Sequence, residues 1–260
     1  MSNPEALFEI IGPIARLTFN RPATRNALTW AMYDALVSAC AAADATPDIR
    51  ALVIRGAGDA FAAGTDIRQF REFRSGEDGI AYEKRLDAVI DRLERVTVPT
   101  VAQVHGVAAG GGCAIALTCD LRVATPESTF GIPIARTLGN CLSGASYSRL
   151  VDAIGPSRAK DLLFTGRFFS APDAHACGLV NRIVDADSIE QTVRELASEI
   201  AATAPLTIRA TKELIRRVAA KRRLAAGEDA DMVELCYMSA DFREGVTAFL
   251  EKRKPRWTGV

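Results

Sequence analysis

Polar and apolar residues alternate over 14–19, where Ala15, Leu17 and Phe19 interleave with Arg16 and Thr18. That is the period of a half-buried strand. With the apolar run 8–11 and the Gly12-Pro13 turn it predicts a hairpin, which Asn20-Arg21-Pro22 ends. The period then lengthens. Leu28, Met32, Leu36 and Cys40 recur every four residues and predict a helix over 29–43. The short run Ala51-Leu52-Val53-Ile54 reads as a buried strand. A second helix over 79–95 carries Tyr82, Leu86, Val89, Ile90 and Leu93 on one face, and Pro99 closes the connection to strands over 100–104 and 121–124. Strand, loop, helix and strand repeat in the manner of a right-handed βαβ architecture. Beyond about residue 155 the texture turns helical, with helices expected over 157–165, 171–178, 189–204, 206–220, 227–240 and 242–252, and one strand over 180–184. Asp187 and Glu190 are placed to form a capping box ahead of Ile189, Val193, Leu196 and Ile200.

Two stretches break the periodic pattern with small residues. Gly110-Gly111-Gly112 follows the strand over 100–104 and runs into Ala114-Ile115-Ala116-Leu117, the start of a buried helix. Three missing Cβ atoms let the backbone take positive φ and approach a ligand. A helix N-terminus there turns free N–H groups outward. The second stretch, Phe61-Ala62-Ala63-Gly64-Thr65-Asp66-Ile67, has the same character. Side by side at the ends of neighbouring strands, the two loops would each offer one backbone N–H. Two such donors aimed at one point make an oxyanion hole, and one donor is worth ~3–4 kcal/mol in acyl chemistry.

Charge and cysteine content narrow the classes. The 260 residues hold 32 Lys and Arg against 32 Asp and Glu, a formal net charge of zero, so no nucleic-acid partner is expected. The basic run Arg216, Arg217, Lys221, Arg222 and Arg223 reads as a solvated helix face. No apolar run approaches a membrane span of about 20 residues, and no signal peptide is read at the N-terminus, so a cytoplasmic protein without a membrane partner is expected. Cys40, Cys113, Cys119, Cys141, Cys177 and Cys236 form no C-x-x-C pair and read as buried free thiols. His105 and His175 lie far apart, and no metal is assigned.

Taken in order, Asn20-Arg21-Pro22, Asn26-Ala27-Leu28, Phe61 through Ile67, His105-Gly106, Gly110-Gly111-Gly112-Cys113, Cys119-Asp120 and Phe130-Gly131-Ile132-Pro133 resemble the enoyl-CoA hydratase/isomerase (crotonase) family. The resemblance continues through Thr165-Gly166, Gly178-Leu179-Val180 and Phe249 to Arg253, so it spans nearly the whole chain. It implies an α/β fold built as a spiral of repeated ββα units over 1–200. A C-terminal helical region over 201–260 would pack on the core and on neighbouring subunits, giving a homotrimer or a dimer of trimers. The substrate implied is an acyl-CoA thioester, with coenzyme A present only as part of that substrate and no permanently bound cofactor. By position, the oxyanion donors would be the N–H groups of Thr65 and Gly111. Thr24, Arg25, Ala63, Thr65, Asp66, Ile67 and Arg68 would lie along coenzyme A with Gly111, and Phe249 and Lys252 would approach its adenine end.

The chain departs from the family where hydration chemistry is done. The two positions at which a hydratase of this family places glutamates hold Ala114 and Ile134, and sliding the second by one residue gives Ala135. None of these side chains can activate water or move a proton. Nearby, Arg136 suits a carboxylate or enolate and Asn140 suits a water or carbonyl, while Cys141 would be a nucleophile only with a lowered pKa. Hydration or isomerisation of an enoyl-CoA is the default by resemblance. The alternatives are a decarboxylase or other enolate chemistry using Arg136, and a non-catalytic acyl-CoA-binding or assembly protein. Asp66, Asp120 and His105 read as local structure.

Overall fold

The computed structural model describes residues 4–73, 75–225 and 227–260. The hairpin forms as expected: β1 (Ala6–Ile11) and β2 (Ile14–Phe19) pair antiparallel with Ile11 opposite Ile14. Helix α1 (Trp30–Ala45) starts at Thr29, whose side chain accepts from the Met32 amide at 3.3 Å. Strand β3 (Ala51–Gly56) lies parallel to β2, and α2 (Gly76–Glu94) follows a 3-10 helix over Ile67–Glu72.

The chain then repeats one unit. In the first copy β4 (Thr100–Val104) joins the large sheet, β5 (Val107–Ala109) joins a small sheet, and α3 (Gly111–Thr118) returns. In the second, β6 (Leu121–Ala124) and β7 (Thr129–Gly131) take the same two places, followed by α4 (Ile134–Thr137) and α5 (Gly144–Thr165). Strand β8 (Phe169–Ser170), α6 (Ala171–Ala176) and β9 (Arg182–Ile183) complete the series. The large sheet runs β1-β2-β3-β4-β6-β9 and the small one β5-β7-β8, the expected spiral of ββα units. Strands β2, β3, β4 and β6 are buried on both faces; β3 reads as an apolar run for that reason, whereas β2, expected to be half-buried from its alternation, has its second face covered through Ile14 by the α7 segment 189–197.

Four helices close the chain: α7 (Ile189–Ala201), α8 (Pro205–Ala220), α9 (Ala230–Met238) and α10 (Ala240–Leu250). Helix α7 covers the second core face with Ile189, Val193 and Leu196. The capping box proposed for it does not form. Ser188 occupies the cap position but its hydroxyl donates back to Asp185 O at 3.0 Å and caps nothing, and Glu190 reaches Arg16 and Arg55 at 3.1 and 2.9 Å instead. Two charge-assisted arginine contacts across the sheet outcompete one local backbone contact. A reciprocal cap does form at α2, where the Ser75 amide donates to Asp78 at 2.8 Å.

Helix α5 is longer than the sequence pattern predicts. It begins at Ser143, whose hydroxyl caps the Ser146 amide, and bends at Gly155-Pro156, where Gly155 has φ 76°. Its Arg149, buried, is held by Glu94 at 2.9 Å and by Asp91, both on α2. Of the basic run on and after α8, Arg216 and Arg217 fork onto Glu213, Arg222 pairs with Asp152 and Arg223 with Glu94. The run is thus largely neutralised within the chain.

Candidate functional site

The Leu28 backbone sets the first loop. Its N–H donates to Gly64 O at 2.7 Å and its C=O accepts from the Asp66 amide at 2.9 Å. A strand bonded through the residues on either side of Thr65 turns the Thr65 N–H to the opposite edge. The second loop is fixed by the Gly110 amide donating to Gly131 O and the Ala109 amide to Ala62 O, both at 2.9 Å. Gly110 sits at φ 47°, ψ −120°, which a side chain would not tolerate. Gly111 then opens α3, and a first-turn N–H has no acceptor inside its own helix. Neither the Thr65 nor the Gly111 amide donates to a protein acceptor among the described residues. The loops touch: a Cβ on Gly110 would stand 3.7 Å from Gly64 Cα, and one on Gly111 would stand 3.0 Å from Thr65 Oγ1 and 2.3 Å from Tyr33 Oη.

Behind the loops lies a polar cluster that the sequence pattern hides among apolar helix positions. Thr65 Oγ1 is 2.8 Å from Tyr33 Oη and 3.0 Å from Tyr82 Oη. Tyr82 packs edge-on to Phe70, at 4.9 Å between ring centres. A cavity of about 400 Å³ beside the 3-10 helix that follows Thr65 is lined by Phe70, Phe73, Tyr237, Phe242, Val246 and Leu250. Helices α9 and α10 therefore fold back over their own core, α9 on α2 and α10 on that 3-10 helix.

Asn140 donates to Tyr237 Oη at 3.2 Å, and Tyr237 Oη donates to Glu83 Oε1 at 2.6 Å. The Ser143 amide donates to the other Glu83 oxygen at 3.1 Å. Glu83 is buried, and desolvation outweighs these two donors, so its pKa is pushed from 4.5 up to about 8. The folded chain holds that proton where the unfolded chain releases it. This group's contribution to stability is therefore complete below about pH 4.5 and is lost as pH rises toward 8. Glu83→Gln is expected to remove that loss. Urea unfolding midpoints at pH 5 and pH 8 should shift in the variant's favour at the higher pH, and a pH-independent difference would show that Glu83 is already ionised.

The remaining sequence candidates fall in several places. Thr24 and Arg25 are exposed on the turn before Leu28, where Arg25 has φ 50° and its carbonyl accepts from the Ala63 amide at 2.9 Å. Ala63 and Ile67 are part-buried beside Thr65. Asp66 caps the 3-10 helix through the Arg68 amide and binds the Arg68 side chain, which holds its carboxyl below the usual range. Phe249 and Lys252 are exposed at the end of α10. Arg136 is exposed, lies over Gly166, and forms no ion pair among the described residues. Cys141 does not qualify as a nucleophile. Its thiol hydrogen bond with Cys236 and its burial both hold the proton on, so the pKa rises where the role required it to fall. Asp120 accepts from the Thr100 amide at 2.7 Å and from Lys212 at 2.6 Å, distant partners in place of the local turn or cap read from the sequence, and His105 is hydrogen-bonded to Gly58 O at 2.8 Å.

The profile of the Enoyl-CoA hydratase/isomerase family matches residues 9–260. The chain belongs to this family. Among its relatives, a probable enoyl-CoA hydratase of Mycobacterium bovis is 35% identical over 244 residues, covering 93% of each chain. A short-chain-enoyl-CoA hydratase of Clostridium acetobutylicum is 32% identical over 95% of each. Among solved structures, a methylmalonyl-CoA decarboxylase in complex with 2-nitronate-propionyl-CoA superposes with TM-score 0.91 at 28% identity over the full length of both chains. An enoyl-CoA hydratase/carnithine racemase of Magnetospirillum magneticum gives TM-score 0.80 at 32% identity, covering 100% of this chain and 97% of the other. The fold is the crotonase fold. Ala114 is part-buried, Ile134 buried and Ala135 exposed.

Proposed function

We propose that the protein binds acyl-CoA thioesters and stabilises a thioester enolate with the amides of Thr65 and Gly111. The carrying observation is that these two amides, on loops in contact with each other, have no protein acceptor among the described residues. A thioester oxygen between them gains most as it takes on negative charge, which is the condition for acceleration. Coenzyme A would run past Thr24, Arg25 and the Ala63–Arg68 loop.

Within that reading we favour decarboxylation of a malonyl-type CoA over hydration. Loss of carbon dioxide leaves the electron pair as an enolate and needs no base to start it, whereas hydration needs a group to activate water. Alanine and isoleucine supply none. The high superposition on methylmalonyl-CoA decarboxylase supports the same choice. Arg136, exposed and without an ion pair among the described residues, is the candidate holder of the departing carboxylate. Hydration remains the second reading, favoured by the names of the relatives.

A panel of crotonyl-CoA, malonyl-CoA and methylmalonyl-CoA separates these. Carbon dioxide release from a malonyl-type CoA supports the first, and loss of the crotonyl-CoA absorbance supports the second. Binding without turnover of any thioester would leave an acyl-CoA-binding protein. If decarboxylation is found, Arg136→Met is expected to raise KM for the malonyl-type substrate roughly 10-fold, the value of one charge-assisted contact. An unchanged KM would remove Arg136 from the site.

We also propose that copies of the chain assemble as a trimer or a pair of trimers. Helix α8 buries none of its residues and exposes Leu206, Leu214, Ile215 and Val218, more apolar surface than a lone helix face leaves to water. Light scattering is expected to give three or six times the 27.9 kDa chain mass. No helix among the described residues is long and apolar enough to cross a membrane.

A further inference from the structure

Three hydroxyl groups meet at Thr65 Oγ1, and their protons can be counted. Tyr33 Oη and Tyr82 Oη lie 2.8 and 3.0 Å from it, and neither has another hydrogen-bond partner among the described residues. Tyr33 is fully buried and Tyr82 nearly so. A hydroxyl carries one proton and two lone pairs. If Thr65 donated to either phenol, that tyrosine's own proton would be stranded in an aromatic core without an acceptor. The arrangement that strands neither has both phenols donating to Oγ1. Both lone pairs of Oγ1 are then occupied, and its own proton has no acceptor among the described residues.

That proton belongs to the residue that also supplies one of the two free amides. Oγ1 stands 3.0 Å from the point a Cβ on Gly111 would occupy, beside the turn that supplies the other. We infer that the Thr65 hydroxyl is a third donor to the thioester oxygen, made a better donor by the two tyrosine hydrogen bonds it accepts. Successive hydrogen bonds polarise one another in this sense. Tyr33 and Tyr82 act through Thr65 and are positioning residues. The inference rests on the acyl-CoA reading above and deepens it. It also accounts for two buried hydroxyls on helix faces where phenylalanine would pack as well.

The test reads the bound carbonyl directly. Butyryl-CoA carrying 13C at the thioester carbon gives an infrared carbonyl band that moves to lower frequency as hydrogen bonds form. In the parent protein the band is expected to fall on binding. In Thr65→Val, which keeps the amide and the side-chain shape, it should recover part of that displacement, and Thr65→Ser should restore it. Turnover of the substrate found in the panel is expected to fall on the order of 10- to 100-fold in kcat for Thr65→Val, as for one hydrogen bond to a charged oxygen. A band and a kcat unchanged by Thr65→Val overturn the hydroxyl's role and leave the two-amide reading standing. A parent that binds butyryl-CoA without moving the band overturns both. If Thr65→Val does not fold, Tyr82→Phe decides: a partial loss of displacement supports the inference, and an unchanged band overturns it.

Discussion

Gly111→Ala is expected to cut turnover of the acyl-CoA substrate by about 100-fold or more, the effect of losing one oxyanion donor. The added methyl would fall 2.3 Å from Tyr33 Oη and 3.0 Å from Thr65 Oγ1. Tyr33 is fully buried on α1 and cannot swing aside, so the start of α3 has to move. The loss is therefore one of alignment, since alanine keeps the N–H itself. Alanine is also a better helix former than glycine, so helix propensity does not oppose the change. The double variant Gly111→Ala with Tyr33→Phe tests this account. Removing the phenol oxygen takes away the nearest clash, and at least a tenth of the parent rate should return. Steady-state kinetics on the three proteins checks it. A Gly111→Ala protein that folds and keeps full rate would falsify the assignment of this amide.

Arg122→Met is expected to produce the largest loss of stability. Arg122 is buried on β6, and its guanidinium donates to Leu179 O, to Ala116 O at 3.1 Å, to Leu117 O at 3.2 Å, to Cys119 O and to Asp120 O. Two of these carbonyls, Ala116 and Leu117, lie in the last turn of α3 and Cys119 caps it, where a helix has no donors of its own left. A cation there also meets the negative end of the helix dipole. Methionine fills the space and satisfies none of the carbonyls. A loss of about 4 kcal/mol follows from several stranded acceptors at about 1–3 kcal/mol each, reduced for those that water can reach. That corresponds to a fall in Tm of roughly 8–16 °C for a domain of this size. Thermal melts and urea unfolding measure it, and a change below about 1 kcal/mol would mean that the carbonyls find other donors. Because α3 begins at Gly111, activity at a temperature where the variant is folded should fall too.

Most of the frame was readable from local pattern. Strands over 100–104 and 121–124 stand where the β-branched and apolar runs put them, and the ends of the expected helices lie within about three residues of their predicted places except at the start of α5. These features depend on neighbours in sequence. The failures share one cause, which is that the deciding partner is distant. Glu83 looks like a solvent-facing helix residue, and only Tyr237, 154 positions away, makes it a buried acid. Tyr33 and Tyr82 fit an apolar helix face, and their hydroxyl role exists only because Thr65 folds between them. Glu190 had a local capping partner available and took arginines on β2 and β3. The first half of α5, Gly-Ala-Ser-Tyr-Ser-Arg, has weak helix propensity and is held by Asp and Glu side chains on α2. Arg122 alone left a trace, a charge inside the apolar run Leu121 to Ala124.

The glycine loops and the strands that carry them are complete by Gly131, whereas one wall of the adjoining cavity, with Tyr237 and Phe242, belongs to the last two helices. On the ribosome these parts emerge in that order. A growing chain thus carries both glycine loops before the helices that wall this cavity have emerged, so a ligand that needs both must wait for α9 and α10.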